Sequence, residues 1–239
     1  KMEPAIYRKI IEEAHKKNIS VTAHLFYVED AKMLIRAGLN VIGHSIRDRE
    51  VDDELLSLMK TNNVIYIPTL SLDNYAYIYG DEPEWLTDSF FQKSLEPGVL
   101  AMITSKDYQT KIKNSPDYER NKKAAQIAMF NLKKISEAGI TVALGTDSGA
   151  FPIRTQGFSE HYEMELMVKA GIQPLDVIRN STLHAAKVLN IDKDYGSLEV
   201  GKNADFIILD ADPSVNIKNT RKIRSVWKDG KQASVSNVN

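Results

Sequence analysis

Three residues that can bind a divalent metal stand at the ends of short apolar segments. His24 and His44 each close a β-branched run, and Asp147 lies in the Gly/Ser-rich bend that follows the run 140–145. Such runs predict buried parallel strands, whose carboxyl ends carry the chemistry of α/β folds. Imidazole nitrogens and carboxylate oxygens both bind zinc and related cations. These residue types at these positions predict a metal-dependent site, with Asp147 as the first catalytic candidate.

A metal held by these three residues would support hydrolysis. Zinc lowers the pKa of a bound water to about 7, so that hydroxide is available at neutral pH. Asp147 would take the proton of this nucleophile and pass it to the leaving group. The three residues are too far apart in the sequence for one helix or hairpin to join them. We therefore expect a parallel sheet or barrel that brings its strand ends to one face.

Composition excludes several other classes of function. The 239 residues include 31 Lys and Arg against 32 Asp and Glu, a formal net charge of -1, which predicts no nucleic-acid or anionic-membrane partner. The absence of Cys excludes disulfides, thiolate metal sites and a Cys nucleophile. No apolar run approaches the roughly 20 residues that span a bilayer, and no signal peptide is visible. The compartment stays open, with the cytoplasm favoured.

Helical and strand patterns alternate through the first part of the chain. The predicted helices are 3–17, 29–38 and 52–60, and the predicted strands are 19–24, 39–44 and 64–67. A long amphipathic helix at 117–138 then precedes a fourth strand at 140–145. Repeated strand–helix units of this length predict a parallel sheet and an α/β fold.

Residues 69–116 interrupt this rhythm and predict short helices that cover the strand ends as a lid or wall. Tyr75, Tyr77 and Tyr79 lie in this insertion at alternate positions. They are compatible with two arrangements, in which they either line a substrate pocket or pack the lid against the body.

The last part of the chain changes character. Its predicted helices are 159–170, 174–180 and 182–189, and its predicted strands are 204–210 and 223–228. A turn-rich link at 196–202 precedes the strands, and Asp229-Gly230 predicts a hairpin turn after them. We therefore predict an α/β body over residues 1–195, a small β appendage over 196–232 and a disordered or tag-like tail over 233–239.

The amino-acid sequence at the strand ends resembles that of the second half of the amidohydrolase superfamily. The resemblance lies in four segments, which are Thr22-Ala23-His24, Ala37-Gly38-Leu39-Asn40-Val41-Ile42-Gly43-His44, Tyr66-Ile67-Pro68-Thr69-Leu70 and Gly145-Thr146-Asp147. The segments 165–174, 181–186 and 196–209 agree with it. The most similar branch contains imidazolonepropionase-like and prolidase-like (Xaa-Pro dipeptidase-like) enzymes, and the resemblance extends over nearly the whole chain.

This resemblance implies a fold, an activity and a set of ligands. It implies the second half, strands 5–8, of a (β/α)8 TIM barrel, followed by the C-terminal strands of a small β-sandwich. His24 and His44 correspond to metal ligands, and Asp147 to a metal ligand that is also the general acid/base. The implied activity is hydrolysis of a C–N bond in an amide, cyclic amide or dipeptide. The implied cofactor is one or two zinc ions, with Fe, Mn or Co also compatible.

The sequence departs from the family in one large respect. The family's first strand carries a His-x-His pair, which this chain lacks, and its fourth strand often carries a Lys or Glu that is also absent. Four parallel strands cannot close a barrel and leave two unpaired edges. We expect a truncated or excerpted half whose partner is the missing N-terminal half or a second copy. The alternative is a catalytically inactive half-barrel that acts only through association.

Three further residues are candidates for contact with a small-molecule or dipeptide substrate. His161 opens a helix after the fourth strand and either faces the pocket or makes a local hydrogen bond. Arg154, in the loop after Asp147, could pair with a substrate carboxylate or remain solvated. Tyr27, three residues after His24, could donate to a substrate carbonyl. His184 is expected to be structural.

Overall fold

The computed structural model describes residues 1–233 and has a mixed α/β fold. The first six elements are α1 (Pro4–His15), β1 (Thr22–His24), α2 (Val28–Arg36), β2 (Val41–Gly43), α3 (Asp53–Thr61) and β3 (Ile65–Ile67). The three strands form one sheet in the order β1-β2-β3, and both pairings are parallel. The predicted alternation of strands and helices and the predicted parallel pairing are confirmed, although each strand is shorter than predicted.

The fourth predicted strand, 140–145, is reduced to a single parallel bridge between Tyr66 and Val142. The Tyr66 amide donates to the Thr141 carbonyl, and the Ala143 amide donates to the Tyr66 carbonyl, both at 2.9 Å. The next amide, that of Leu144, donates instead to the Asn180 carbonyl at 3.1 Å. The prediction of a six-residue strand is therefore wrong, because the chain leaves the sheet after Ala143.

Helices α2 and α3 pack against this sheet through apolar side chains at helical spacing. Ala31 and Ile35 of α2 and Leu55 and Met59 of α3 are fully buried in the main hydrophobic core. Helix α3 begins after Asp52, whose carboxylate accepts from the Leu55 amide at 2.9 Å and so caps the helix. Burial of these faces fixes the strand ends relative to one another.

The insertion after β3 consists of short helices, as predicted. They are α4 (Leu70–Tyr75), α5 (Ser89–Lys93), α6 (Val99–Thr104) and α7 (Lys106–Lys113), with 3-10 turns at Ile78–Asp81 and Glu84–Thr87, and they lead into α8 (Tyr118–Glu137). Tyr75, Tyr77 and Tyr79 are all buried, and the rings of Tyr75 and Tyr79 stack at 5.8 Å. Of the two arrangements left open for these tyrosines, the structure shows packing of the lid.

The rest of the described chain contains three helices and a separate antiparallel sheet. These elements are α9 (Phe158–Lys169), α10 (Pro174–Ser181), α11 (Leu183–Val188), β4 (Phe206–Leu209), a 3-10 turn at Ile217–Arg221, β5 (Ile223–Lys228) and β6 (Lys231–Gln232). The hairpin between β5 and β6 turns at Asp229 and Gly230, with φ of 51° and 71°. Positive φ at both positions is the conformation that Asp-Gly favours in two-residue hairpins, and the predicted turn is confirmed.

The boundary predicted after residue 195 stays a prediction. The tail predicted over 233–239 lies, from residue 234 onward, outside the described residues. Within residues 1–233, no helix combines the length and the apolar character needed to cross a membrane.

Candidate metal centre

The structure brings His24 and His44 into direct contact. His24 is the last residue of β1, and it pairs in register with Gly43 of β2, directly before His44. The Nδ1 atom of His24 lies 2.5 Å from Nε2 of His44, and the ring centroids are 4.6 Å apart. His44 has a φ of 73°, a left-handed conformation that is uncommon outside glycine. The parallel register and this turn together direct two imidazole nitrogens at one point.

The other nitrogen of His44 is held by Thr69, a residue that the sequence interpretation did not single out. The Nδ1 atom of His44 lies 2.9 Å from Thr69 Oγ1, and Thr69 is buried with a φ of 52°. A proton on Nδ1 donated to Thr69 leaves the lone pair of Nε2 facing His24. In the sequence, the signal that could have indicated this residue is the segment 66–70, which is part of the family resemblance.

His44 is maintained in the neutral form that binds metals. Burial lowers the pKa of His44 below its ordinary value, and the neighbouring His24 lowers it further. The negative charge of Asp147 acts in the opposite direction, while Arg47 and Arg154 again lower the pKa. At neutral pH the imidazole of His44 is therefore uncharged and has a lone pair available.

The charge of Asp147 acts on His44, but the Asp147 carboxylate makes its direct contact with another residue. One carboxylate oxygen, Oδ2, accepts from Arg154 Nη1 at 3.2 Å. Asp147 itself has a φ of 55°, so a second strand-end residue adopts the left-handed conformation. Within residues 1–233, no three His, Asp or Glu side chains are grouped closely enough to hold a metal ion. The structure thus joins His24 with His44 and pairs Asp147 with Arg154.

The donor set fits one side of a divalent metal site. Imidazole nitrogens are suited to zinc or a related cation, which takes about four ligands in all. The hydrogen bond from His44 to Thr69 is the outer contact that usually orients such a ligand. His24 and His44 could hold the metal directly, and Asp147 could join them after leaving Arg154.

Arg154, the ion-pair partner of Asp147, lines a cavity of about 380 Å³. Its guanidinium carbon lies 5.0 Å from the ring centroid of Phe151, and its Nε atom is buried with no hydrogen-bond partner in the described residues. Glu96 and Ser94 of the lid line the opposite part of the cavity. The lining combines one cation, Arg154, one acid, Glu96, and one aromatic ring, Phe151, which suits a small polar ligand.

His161 and Tyr27 lie in other surroundings. The Nδ1 atom of His161 lies 2.9 Å from Thr220 Oγ1, and its ring packs edge-on against Phe90. Burial lowers the pKa of His161 to about 4, with Arg221 contributing in the same direction. The structure therefore places His161 at the contact between α9 and the C-terminal 3-10 turn. Tyr27 precedes α2, and the Lys1 amino group lies 4.1 Å from its ring centroid.

His184 makes the structural contact expected of it. Its Nδ1 atom lies 2.9 Å from the carbonyl oxygen of Val142, the residue that bridges to β3. The imidazole therefore connects α11 to the segment that bridges to β3.

A buried ion pair supports the loop that carries His44. The Nε atom of Arg47 lies 2.9 Å from Asp73 Oδ1, and Asp73 is almost fully buried in α4. Burial raises the pKa of Asp73 to about 6, although the charge of Arg47 acts to lower it. The pair connects the loop after β2 to α4, the helix that follows Thr69.

Comparisons with known proteins show the family to which the chain belongs. The model of the amidohydrolase family matches residues 2–233. The ochratoxinase of Aspergillus niger is 27% identical over 233 residues, which is 95% of this chain and 41% of that protein. The imidazolonepropionase of Treponema denticola is 33% identical over 108 residues, 41% of this chain and 24% of that protein.

A similar solved structure is that of a putative prolidase from Bifidobacterium longum. It is 26% identical, with a TM-score of 0.73, and the match covers 98% of this chain and 51% of that one. The chain therefore spans about half the length, or less, of the relatives it matches.

Proposed function

Because this chain belongs to the amidohydrolase family, we propose that it supplies part of the active site of a metal-dependent hydrolase of C–N bonds. The observation that carries the proposal is the contact between His24 and His44 at the ends of two parallel strands. The relatives named ochratoxinase, imidazolonepropionase and prolidase support the reaction class.

In this proposal His24 and His44 hold one divalent cation, and Asp147 is both a ligand and the proton carrier. A bound cation supplies a water molecule that is acidic enough to lose a proton near neutral pH. The Asp147 carboxylate accepts that proton and delivers it to the leaving nitrogen. Thr69 orients His44, and Arg154 pairs with the carboxylate of Asp147. Zinc is the preferred cation, with Fe, Mn and Co as alternatives.

The substrate in this proposal is a small molecule or dipeptide with a carboxylate near the scissile bond. Arg154 supports this choice because it lines the cavity and is the ion-pair partner of Asp147. A guanidinium group can bind a carboxylate through two parallel hydrogen bonds. Tyr27 stays a weaker candidate for the substrate carbonyl. The contacts of His161 with Thr220 and Phe90 favour a structural role over the predicted substrate contact.

The finer fold assignment is part of the same proposal. We infer that β1, β2, β3 and the bridge at Val142 correspond to strands 5–8 of a (β/α)8 barrel, and that β4, β5 and β6 belong to a β-sandwich. The partner that completes the barrel is an N-terminal half or a second copy of this chain. In support, β1 pairs on one side only within the described residues, so its other edge is open.

A second candidate function is association without catalysis. It is favoured by the lack of any three-residue metal cluster within residues 1–233. In that case the open strand edges would pair with another subunit, and the two histidines would only hydrogen-bond to each other. Metal content and sedimentation separate the two candidates, since stoichiometric zinc supports the hydrolase, and self-association without zinc supports the scaffold.

The direct test of the proposed function is Asp147→Asn in the full-length protein that carries this chain. We expect turnover of amide or dipeptide substrates to fall at least about 100-fold, because a proton carrier contributes roughly that much. Asp176→Asn, which changes an exposed acid that pairs with Arg179, is the matched control and should leave turnover unchanged. Near-normal turnover in Asp147→Asn would show that the role given to Asp147 is wrong.

A further inference from the structure

We propose that Glu160 and Glu163, one turn apart on α9, are positioning residues that hold the Asp147 and His44 loops in a fixed relation. We call these two residues the α9 acid pair. The inference rests on the proposed function, because it gives the pair a purpose only if Asp147 and His44 serve one metal site.

Glu160 accepts hydrogen bonds from the side chains on both sides of Asp147. Its Oε1 atom accepts from the hydroxyl of Thr146 at 3.0 Å and from the hydroxyl of Ser148 at 2.8 Å. The Thr146 hydroxyl in turn accepts from the Ser148 amide at 3.2 Å. The other oxygen, Oε2, accepts from the Gly157 amide at 2.7 Å and so caps α9. One carboxylate therefore binds the residue before Asp147, the residue after it and the start of the helix.

This contact explains how Asp147 keeps an unfavourable backbone conformation. A non-glycine residue at a φ of 55° is strained, and such a conformation persists only where the surrounding contacts determine it. Because the hydroxyls of Thr146 and Ser148 both donate to one oxygen atom of Glu160, the backbone between them is restrained in this bend. The Asp147 side chain is thereby kept at the strand end, beside Arg154 and within the field of His44.

Glu163 holds the other loop. It is fully buried, and its two oxygens accept from the amides of Leu70 and Ser71 at 2.7 Å and 2.6 Å. These amides belong to the first turn of α4, directly after Thr69, the residue bonded to His44. Thr69 directly precedes this turn and has a positive φ, so its position depends on where α4 begins. Glu163 thus fixes Thr69 and, through Thr69, the ring of His44.

The two contacts come from one rigid helix. Residues three apart on a helix lie on the same side, with their Cβ atoms about 5–6 Å apart. The distance between the two loops is therefore set by a helix rather than by the loops themselves, which are distant in the sequence. Glu165, on the same helix, pairs instead with Arg221 of the C-terminal 3-10 turn, and it provides a matched control.

The test is titration of the purified full-length protein with Co²⁺ alone, followed by visible absorption. The informative variants are Glu163→Gln and the double change Thr146→Val with Ser148→Ala, which leaves the capping contact of Glu160 with Gly157 in place. Both should weaken Co²⁺ binding by about tenfold or more and alter the absorption bands, because outer contacts of this kind commonly change metal affinity 10–100-fold. Glu165→Gln should bind Co²⁺ like the wild type. Because Glu163→Gln leaves one buried amide without an acceptor and so lowers the melting temperature, binding is compared well below the melting temperature of every variant.

Failure of the inference is distinguishable from failure of the proposed function. If His24→Ala abolishes Co²⁺ binding while both informative variants bind with wild-type affinity and spectrum, the α9 acid pair has no positioning role. If the wild type binds no Co²⁺, the proposed function falls. The pair is then tested by the ¹⁵N signals of the His44 ring without metal, which should move in Glu163→Gln and not in Glu165→Gln. Unchanged His44 signals in Glu163→Gln would overturn the inference.

Discussion

Thr69 Oγ1 lies 2.9 Å from the Nδ1 atom of His44, and this contact engages one of the two imidazole nitrogens. With Nδ1 engaged, Nε2 faces His24 across 2.5 Å. In the proposed site this hydrogen bond would orient the ring of His44 as a metal ligand.

Replacing Thr69 with Val should weaken zinc binding about 10–100-fold, because the side chain keeps its shape and loses the hydroxyl. Competition with a zinc chelator measures the change. Thr69→Ser retains the hydroxyl and should bind zinc almost like the wild type. Equal zinc affinity in Thr69→Val and the wild type would exclude the orienting role.

Changing Arg154 to Lys should impair recognition of a substrate carboxylate. Lysine keeps the charge but lacks the planar pair of donors that a guanidinium offers. We expect KM to rise about tenfold for a substrate with a free carboxylate and to change little for its methyl ester. The comparison of acid with ester cancels any effect through Asp147, the ion-pair partner of Arg154. An equal rise for both substrates would place Arg154 outside the substrate site.

Replacing Arg47 with Met should lower the free energy of unfolding by about 3–5 kcal/mol, because it leaves the buried Asp73 carboxylate without its ion-pair partner. The double variant Arg47→Met with Asp73→Leu should be more stable than Arg47→Met alone, since the buried charge is then absent. Urea denaturation measures both. If the double variant is the less stable of the two, the ion pair is not the source of the loss.

The pH dependence of stability should carry a contribution from His161. Its pKa in the folded protein is lowered to about 4, so between pH 6.5 and 4 the unfolded chain binds a proton that the folded chain does not. This contribution to stability is complete above pH 6.5 and is lost as the pH falls toward 4, by about 3 kcal/mol.

His161→Gln does not titrate, so the stability difference between wild type and variant should shrink over that interval. Chemical denaturation at a series of pH values measures this difference. A difference that stays constant from pH 7 to pH 4 would show that His161 is not held neutral by its surroundings.

Much of the α/β body could be predicted from the sequence because its signals are local. The apolar spacing of Ala31 and Ile35, and the β-branched runs before His24 and His44, each describe one element. The run before Asp147 looked like the others, but there the chain leaves the sheet. The competing partner is the Asn180 carbonyl, which takes the Leu144 amide, and no local pattern reveals it.

In the candidate site, too, some residues have local sequence signals and others are revealed only by tertiary contacts. His24, His44 and Asp147 were identifiable from their types and strand-end positions, and the contact between the two histidines follows from parallel pairing. Thr69 and Glu163 act through contacts that depend on tertiary packing. Glu163 reaches an amide 93 positions away, and nothing in the sequence near Glu163 indicates that partner.

In the proposed site His24, His44 and Asp147 share one cation. The most direct measurement is a crystal structure of the zinc-loaded full-length protein, with anomalous differences recorded at the zinc edge. We predict a peak about 2.0–2.2 Å from one nitrogen of each histidine and from a carboxylate oxygen of Asp147, with Arg154 released. A zinc ion bound elsewhere, or one bound to the histidines while Asp147 remains on Arg154, would contradict the claim.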